Sequence, residues 1–290
     1  MISFPSILFP VDLSPQSRAA APFVKAMAAR FHSQVTALHV LEVPPAWYGP
    51  TGEAAFCAWL DVTSMLESRR NELIEFLGTE LTGVDTYPCI QSGDAAGIIH
   101  QIVSQKHTSL VMMPTHGYGP VRSMLLGSVT AKVLHDAACP VWTVSSTRNS
   151  ECNAQAPWQR FICAIDSDSK SVPLIQWAAD FAAEQDAELK LVHAVSGFDQ
   201  PRGDSEEDPL RDFIFGVARE RIAKLQEEAG TNLEVVIECG ATGQVVRDVA
   251  VREHAGLALI GRGVIQRPLG RLRSNAYAIV RDAPCPVISI

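Results

Sequence analysis

Along the chain, short apolar runs alternate with stretches whose apolar residues recur at helical spacing. Ser6–Val11, Gln34–Val40, Thr86–Ile90, Ser109–Met113 and Val141–Val144 are continuous runs rather than alternating ones. Such runs predict strands covered on both faces. After the first run, Ser14 is placed to cap a helix and Pro15 to occupy its first turn, where a missing N–H costs nothing. Ala20, Phe23, Val24, Met27, Ala28 and Phe31 then fall on one helical face. Pro22 lies inside that helix and is expected to bend it. Leu174, Trp177, Ala178, Phe181 and Ala182 repeat the stripe in the second half. Strands alternating with helices predict right-handed βαβ units and a parallel sheet.

The pattern occurs twice. Ile7-Leu-Phe-Pro-Val-Asp12 matches Phe161-Ile-Cys-Ala-Ile-Asp166, and Ala37-Leu-His39-Val matches Leu191-Val-His193-Ala. Ile90-Gln-Ser-Gly93 matches Ile237-Glu-Cys-Gly240, and Ser109–Met113 matches Gly256–Ile260. His135-Asp-Ala-Ala-Cys139-Pro-Val matches Arg281-Asp-Ala-Pro-Cys285-Pro-Val. Preserved order with little drift in spacing indicates duplication. The polar stretch 146–157 reads as a linker, giving expected domains at 1–148 and 157–290.

Composition narrows the function classes. The chain has 290 residues, enough for two ordinary domains, and 47% are hydrophobic, which excludes compositional disorder. A net charge of −8 argues against nucleic acid as the main partner. The seven cysteines form no CxxC pair, and with histidine they show no zinc-finger spacing, so reduced and mostly buried thiols are expected. The N-terminal stretch has neither the basic nor the long apolar region of a signal peptide, and no apolar run is long enough to span a bilayer. The expectation is a cytoplasmic protein without membrane contact.

In an open parallel sheet, ligands bind beyond the carboxyl ends of the strands. Pro10-Val-Asp12 ends the first predicted strand. The Asp12 carboxylate can accept a hydrogen bond from an adenine amine or a ribose hydroxyl, or it can cap the adjoining turn. After the fourth strand comes a glycine loop, Met113-Pro-Thr-His-Gly117, which runs to Gly127-Ser128-Val129 and a helix start. Glycine permits close backbone approach, and the unpaired N–H groups of a helix start suit a phosphate. The competing reading is a plain glycine turn with a serine N-cap. Neither GxxxxGK[ST] nor GxGxxG is present.

This loop resembles the G-2x-G-9x-G-[ST] signature of ATP-binding universal stress proteins. Gly117, nine residues, then Gly127-Ser128 match its last three elements. Pro10-Val-Asp12, Leu38-His39-Val40, Gly93-Asp-Ala and Cys139-Pro-Val141 extend the resemblance, which covers both halves. It implies an α/β fold of two tandem doubly wound domains, each a five-stranded parallel sheet flanked by helices. It also implies that the domains pair through their last strands, Val141–Val144 and Val287–Ile290, as an intrachain pseudo-dimer; further association into a homodimer stays open. By position, Asp12, following Pro10, and the Val40 backbone hold adenine. Gly117, Gly127, Ser128 and Val129 hold ribose and phosphates, and Met113 lines the pocket. The implied cofactor is ATP, with Mg²⁺ on its phosphates and no protein metal site. One departure is Pro114, which stands at the first signature glycine and has no N–H to donate.

The second half departs further. It keeps Gly261, but Val264 replaces the second glycine and Arg273 stands opposite Gly127. Arg262, Arg267, Arg271 and Arg273 crowd this loop. They read as a solvated face, a pairing with the acidic stretch 204–208, a partner contact or an altered anion site. The first domain is therefore read as the nucleotide site, and the second as a degenerate one.

His39 and His193 read as packed, hydrogen-bonded residues, while His116 lies where it can approach a phosphate. The aromatic stretch 44–61 reads as a lid, an interaction surface or a packed loop. No catalytic residue is assigned: with no general base and no lysine-bearing phosphate loop, slow ATP hydrolysis is the most the chain is expected to support. Two functions compete: an ATP-binding stress-response regulator, and a scaffold that recruits protein partners without nucleotide.

Overall fold

The computed structural model describes residues 1–42, 53–105, 107–117, 126–144, 158–195, 209–262 and 274–290; the side chains of 53–62 and 274 lie outside this description. The chain forms two compact units, each drawn chiefly from one half.

In the first half, β1 (Ser6–Pro10), α1 (Pro15–Phe31), β2 (Gln34–Leu41), α2 (Glu53–Glu80) and β3 (Thr86–Ser92) come first. They are followed by α3 (Ala95–Gln105), β4 (Leu110–Pro114), α4 (Ser128–Asp136) and β5 (Val141–Val144). The strands run in the order β3-β2-β1-β4-β5. Pairing is parallel, with Ile7 opposite Val35 on one side of β1 and opposite Leu110 on the other. The helices pack as α1 with α2 and α3 with α4, the two covering layers of a doubly wound sheet.

The apolar runs became strands because both faces are covered. Ile7, Leu8 and Phe9 of β1 are buried, as are all five residues of β4. Each large side chain removed from water contributes about 1.5–3 kcal/mol. β3 is the exception to the expectation of two covered faces. It is the outer strand of its half, and only Cys89 is buried along it. An edge position also accommodates Pro88, opposite Ala37, because a proline cannot donate to a further strand.

Ser14 is the N-cap of α1, and its side chain accepts from Ser17 N at 3.2 Å. The helix runs from Pro15 through Pro22 to Phe31 as one element, burying Ala20, Phe23, Val24, Met27 and Ala28. It ends at His32, which adopts φ 50° and donates its N–H to Ala28 O. Of the aromatic stretch 44–61, residues 43–52 lie outside the described residues, and α2 begins at Glu53. The second part of that stretch is therefore helical backbone rather than a loop.

The second half repeats the plan with β6 (Arg160–Ala164), α5 (Val172–Glu184), β7 (Glu188–Val195), α6 (Pro209–Ala229) and β8 (Glu234–Cys239). Then come α7 (Thr242–Arg252), β9 (Leu257–Ile260), α8 (Ser274–Asp282) and β10 (Val287–Ser289), with strand order β8-β7-β6-β9-β10. Phe181 anchors this core, with Phe161 at 5.7 Å and Trp177 at 5.0 Å between ring centroids.

Backbone conformation repeats along with sequence. Left-handed residues come in matched pairs: His32 and Asp186, Gly83 and Gly230, Gly93 and Gly240, His107 and His254. Leu13, at φ 62°, has no left-handed counterpart among the described residues of the second half. A left-handed leucine is uncommon, and such conformations cluster at functional sites.

Candidate nucleotide site of the first half

The chain crosses from one side of β1 to the other between β3 and β4, which opens a crevice beyond the carboxyl ends of β1 and β4. A cavity of about 920 Å³ occupies it. Pro10, Asp12, Val40, Met113, Gly117, Gly127, Ser128 and Val129 all line this one cavity. Residues more than a hundred positions apart are brought together by the topology alone.

Asp12 takes part in the turn reading. Its Oδ1 accepts from Ser17 Oγ at 2.6 Å and from Ser14 N at 3.0 Å, and Asp12 N donates to Ser17 Oγ at 3.3 Å. Ser14 and Ser17 are fully buried, so the carboxylate is fixed by groups that are themselves fixed. Gly117 is laid against the other carboxylate oxygen so closely that no Cβ fits there.

The glycine loop is pinned at both ends. Pro114 closes β4, and its carbonyl accepts from Thr130 Oγ1 at 3.1 Å. Gly127 N donates to Thr115 O at 2.9 Å. Pro114 thus lacks a donor but uses its acceptor to anchor the first turn of α4. The N-cap of α4 is Gly127, without a side-chain cap, so Ser128 is the first helical residue rather than the capping serine. The first intrahelical bond runs from Ala131 N to Gly127 O, so the Ser128 and Val129 N–H groups precede it. Gly127 has φ −59°, which any residue adopts; what it supplies is space, since a Cβ would stand 3.2 Å from Thr115 O.

His39 and His193 are packed residues, as expected. His39 Nδ1 bonds Val11 O at 2.7 Å, and His193 Nδ1 bonds Ile165 O at 2.9 Å, the same bond in each half. His116 lines the cavity; its Nδ1 bonds Thr115 Oγ1 at 2.9 Å and its Nε2 is buried without a partner. Beside the site, Asp94 accepts from Gly97 N at 2.7 Å at the start of α3 and from Lys132 Nζ at 3.3 Å. The Gly97 N–H, and then Lys132, hold its carboxyl below the ordinary value.

Sequence reasoning missed a whole wall of the cavity. Leu13 and Arg18 of the first turn region contribute, with Arg69, Glu72, Glu75, Phe76 and Thr79 of α2. The signal available was the three- and four-residue spacing from Arg69 to Thr79, which marks one helical edge.

In the second half the equivalent space is about 70 Å³. Asp166 lines it, and its carbonyl accepts from Ser171 Oγ at 2.7 Å. A 3₁₀ turn, Ser169–Ser171, precedes α5 here, with Asp168 capping Lys170 N at 3.1 Å. Leu174 closes the pocket: a Cβ on Gly261 would lie 3.3 Å from Leu174 Cδ2. The repeat puts Ala20 opposite Leu174 and Pro114 opposite Gly261, so bulk is exchanged between the two positions. The departure at Pro114 thus has a packing counterpart. Arg262 donates its N–H to Ile290 O at 3.0 Å. Arg267, Arg271, Arg273, Val264 and the acidic stretch 204–208 lie outside the described residues. No described helix is long and apolar enough to cross a membrane.

Sheet order, crevice and loop define a doubly wound α/β domain, present twice, with a ligand-sized cavity in the first copy. The model of the universal stress protein family matches residues 3–145 and again 157–290, and the chain belongs to that family. A universal stress protein of Thermus aquaticus is 31% identical over 144 residues, covering 49% of this chain and 98% of its own. One from Methanocaldococcus jannaschii is 28% identical over 147 residues, covering 50% of this chain and 84% of its own. Among solved structures, a universal stress protein from Archaeoglobus fulgidus matches with a TM-score of 0.64 and 18% identity, covering 98% of this chain and 95% of that one; at this identity the likeness concerns the fold.

Proposed function

We propose that the first half binds ATP and that the protein is a nucleotide-responsive regulator within its stress-protein family. The observation that carries this reading is the convergence of the three signature-matched residues, Gly117, Gly127 and Ser128, and the five others carried over by position on one cavity of about 920 Å³ at the switch point. That volume is at the upper end of the roughly 300–1,000 Å³ usual for small-molecule sites. In this reading Asp12 and the Val40 backbone hold the adenine edge. Ribose and phosphates lie along Gly117, Gly127, Ser128 and Val129, where the unpaired N–H groups of α4 and the helix dipole favour negative charge. Met113 packs against the base. Mg²⁺ would enter on the phosphates, as is usual for that ion. The test is calorimetric titration with ATP, alongside mass spectrometry of protein purified without added nucleotide.

A second role is favoured for the second half. Its pocket of about 70 Å³ supports this reading, because that volume is room for a water or two rather than a nucleotide. Within this proposal it is a structural or partner-recruiting domain. ATP titration of the isolated Gly127→Leu full chain tests it: heat of binding retained in that variant places a site in the second half.

A further inference from the structure

We propose that Arg18 is a stacking platform for the base of the bound nucleotide, and so a residue by which the first-half site favours nucleotides over base-free phosphates. This rests on the nucleotide reading of that cavity. Arg18 lines the cavity on the α1 wall, one residue beyond Ser17, which holds Asp12. Its guanidinium lies over the Phe76 ring, 5.3 Å from the centroid, and its Nη1 is 2.8 Å from Glu80 Oε1. Phe76 is 1% exposed and packs on the fully buried Phe9, with centroids 6.4 Å apart, so the ring beneath the guanidinium belongs to the rigid core. The Arg18 side chain is nonetheless 51% exposed.

The guanidinium carbon therefore stands over an aromatic ring, one nitrogen is tied to a carboxylate, and the residue lines the cavity. A surface arginine normally loses rotamer freedom on binding a ligand, whereas this one already has two contacts, to Phe76 and Glu80, that limit its rotamers. A planar cation held this way suits a planar heteroaromatic ring, which stacks on a guanidinium regardless of its hydrogen-bonding edge. A lysine has the charge without the plane. The second half supplies an internal contrast: Val172 stands at the position of Arg18, and there the cavity is nearly closed.

The experiment is calorimetric titration of the full chain with ATP and, separately, with inorganic triphosphate, for wild type, Arg18→Ala and Arg18→Lys. Arg18→Ala should weaken ATP by about five- to tenfold. Arg18→Lys should weaken it by a similar factor, and neither should change triphosphate binding. Phe76→Leu, which removes the ring under the guanidinium, should weaken ATP in the same sense. Full ATP affinity in Arg18→Lys, or an equal loss for ATP and triphosphate, overturns the platform and leaves the nucleotide site standing. No ATP binding by wild type overturns both.

Discussion

Gly117 is packed against the Asp12 carboxylate so tightly that a Cβ on Gly117 would overlap Asp12 Oδ2. Two loops from opposite ends of the first half meet at this point, the turn after β1 and the loop after β4. In Gly117→Ala either the loop or the carboxylate has to shift, and a shift of the carboxylate strains its bonds from Ser17 Oγ and Ser14 N. Loss of about 1–3 kcal/mol of stability is expected, since these are hydrogen bonds to a charged acceptor. ATP affinity should fall by about tenfold or more. Thermal melts and titration on the same variant check both.

Ser14 separates fold from function. Its side chain caps α1 through Ser17 N and is fully buried. Ser14→Ala should cost about 1–2 kcal/mol, the upper part of the range for a lost N-cap. Chemical denaturation reads this as a lower midpoint with an unchanged slope.

How far the sequence disclosed this site can be judged residue by residue. Ser14, Pro15 and the buried stripe from Ala20 to Ala28 were legible because helix caps and periodicity are local. His39 was legible because its role recurs at His193. The strands were legible as continuous apolar runs, except that β3 looked covered when it is an edge; nothing in an apolar run states its place in a sheet. Ser128 looked like an N-cap because serine favours caps, but Gly127 holds that position through its bond to Thr115 O. The wall from Arg18 and Phe76 was invisible for another reason: its residues meet only through packing between α1 and α2, across more than fifty positions of chain.

Asp94 gives a pH signature. The Gly97 N–H and Lys132 hold its folded pKa below the ordinary value of 3.8. A depressed carboxylate contributes stability that is fully present above its unfolded pKa and lost as pH falls through the folded one. Melting temperature should therefore decline below about pH 4, and Asp94→Asn should flatten part of that decline. Melts of both proteins from pH 6 to pH 2 check it; parallel curves would show that Asp94 contributes nothing. The group is exposed, so the difference is expected to be small.

Leu174 closes the second pocket, so Leu174→Ala should enlarge it. Removing a buried leucine side chain costs about 2–4 kcal/mol. If bulk is exchanged between Leu174 and Gly261, Gly261→Ala should be tolerated better in the Leu174→Ala background than in wild type. A double-mutant cycle measures that coupling, and strict additivity would show the two positions to be independent.

The central claim is that ATP occupies the first-half cavity through the Gly127 loop. A Cβ on Gly127 already stands 3.2 Å from Thr115 O, and a larger side chain must enter the space over the first turn of α4. Calorimetric titration of ATP into wild type and Gly127→Leu is the most direct measurement. Saturable one-site binding is expected in wild type, with at least about a hundredfold loss in the variant, the equivalent of about 2.7 kcal/mol. Equal affinities in the two proteins, or no binding in wild type, would contradict it.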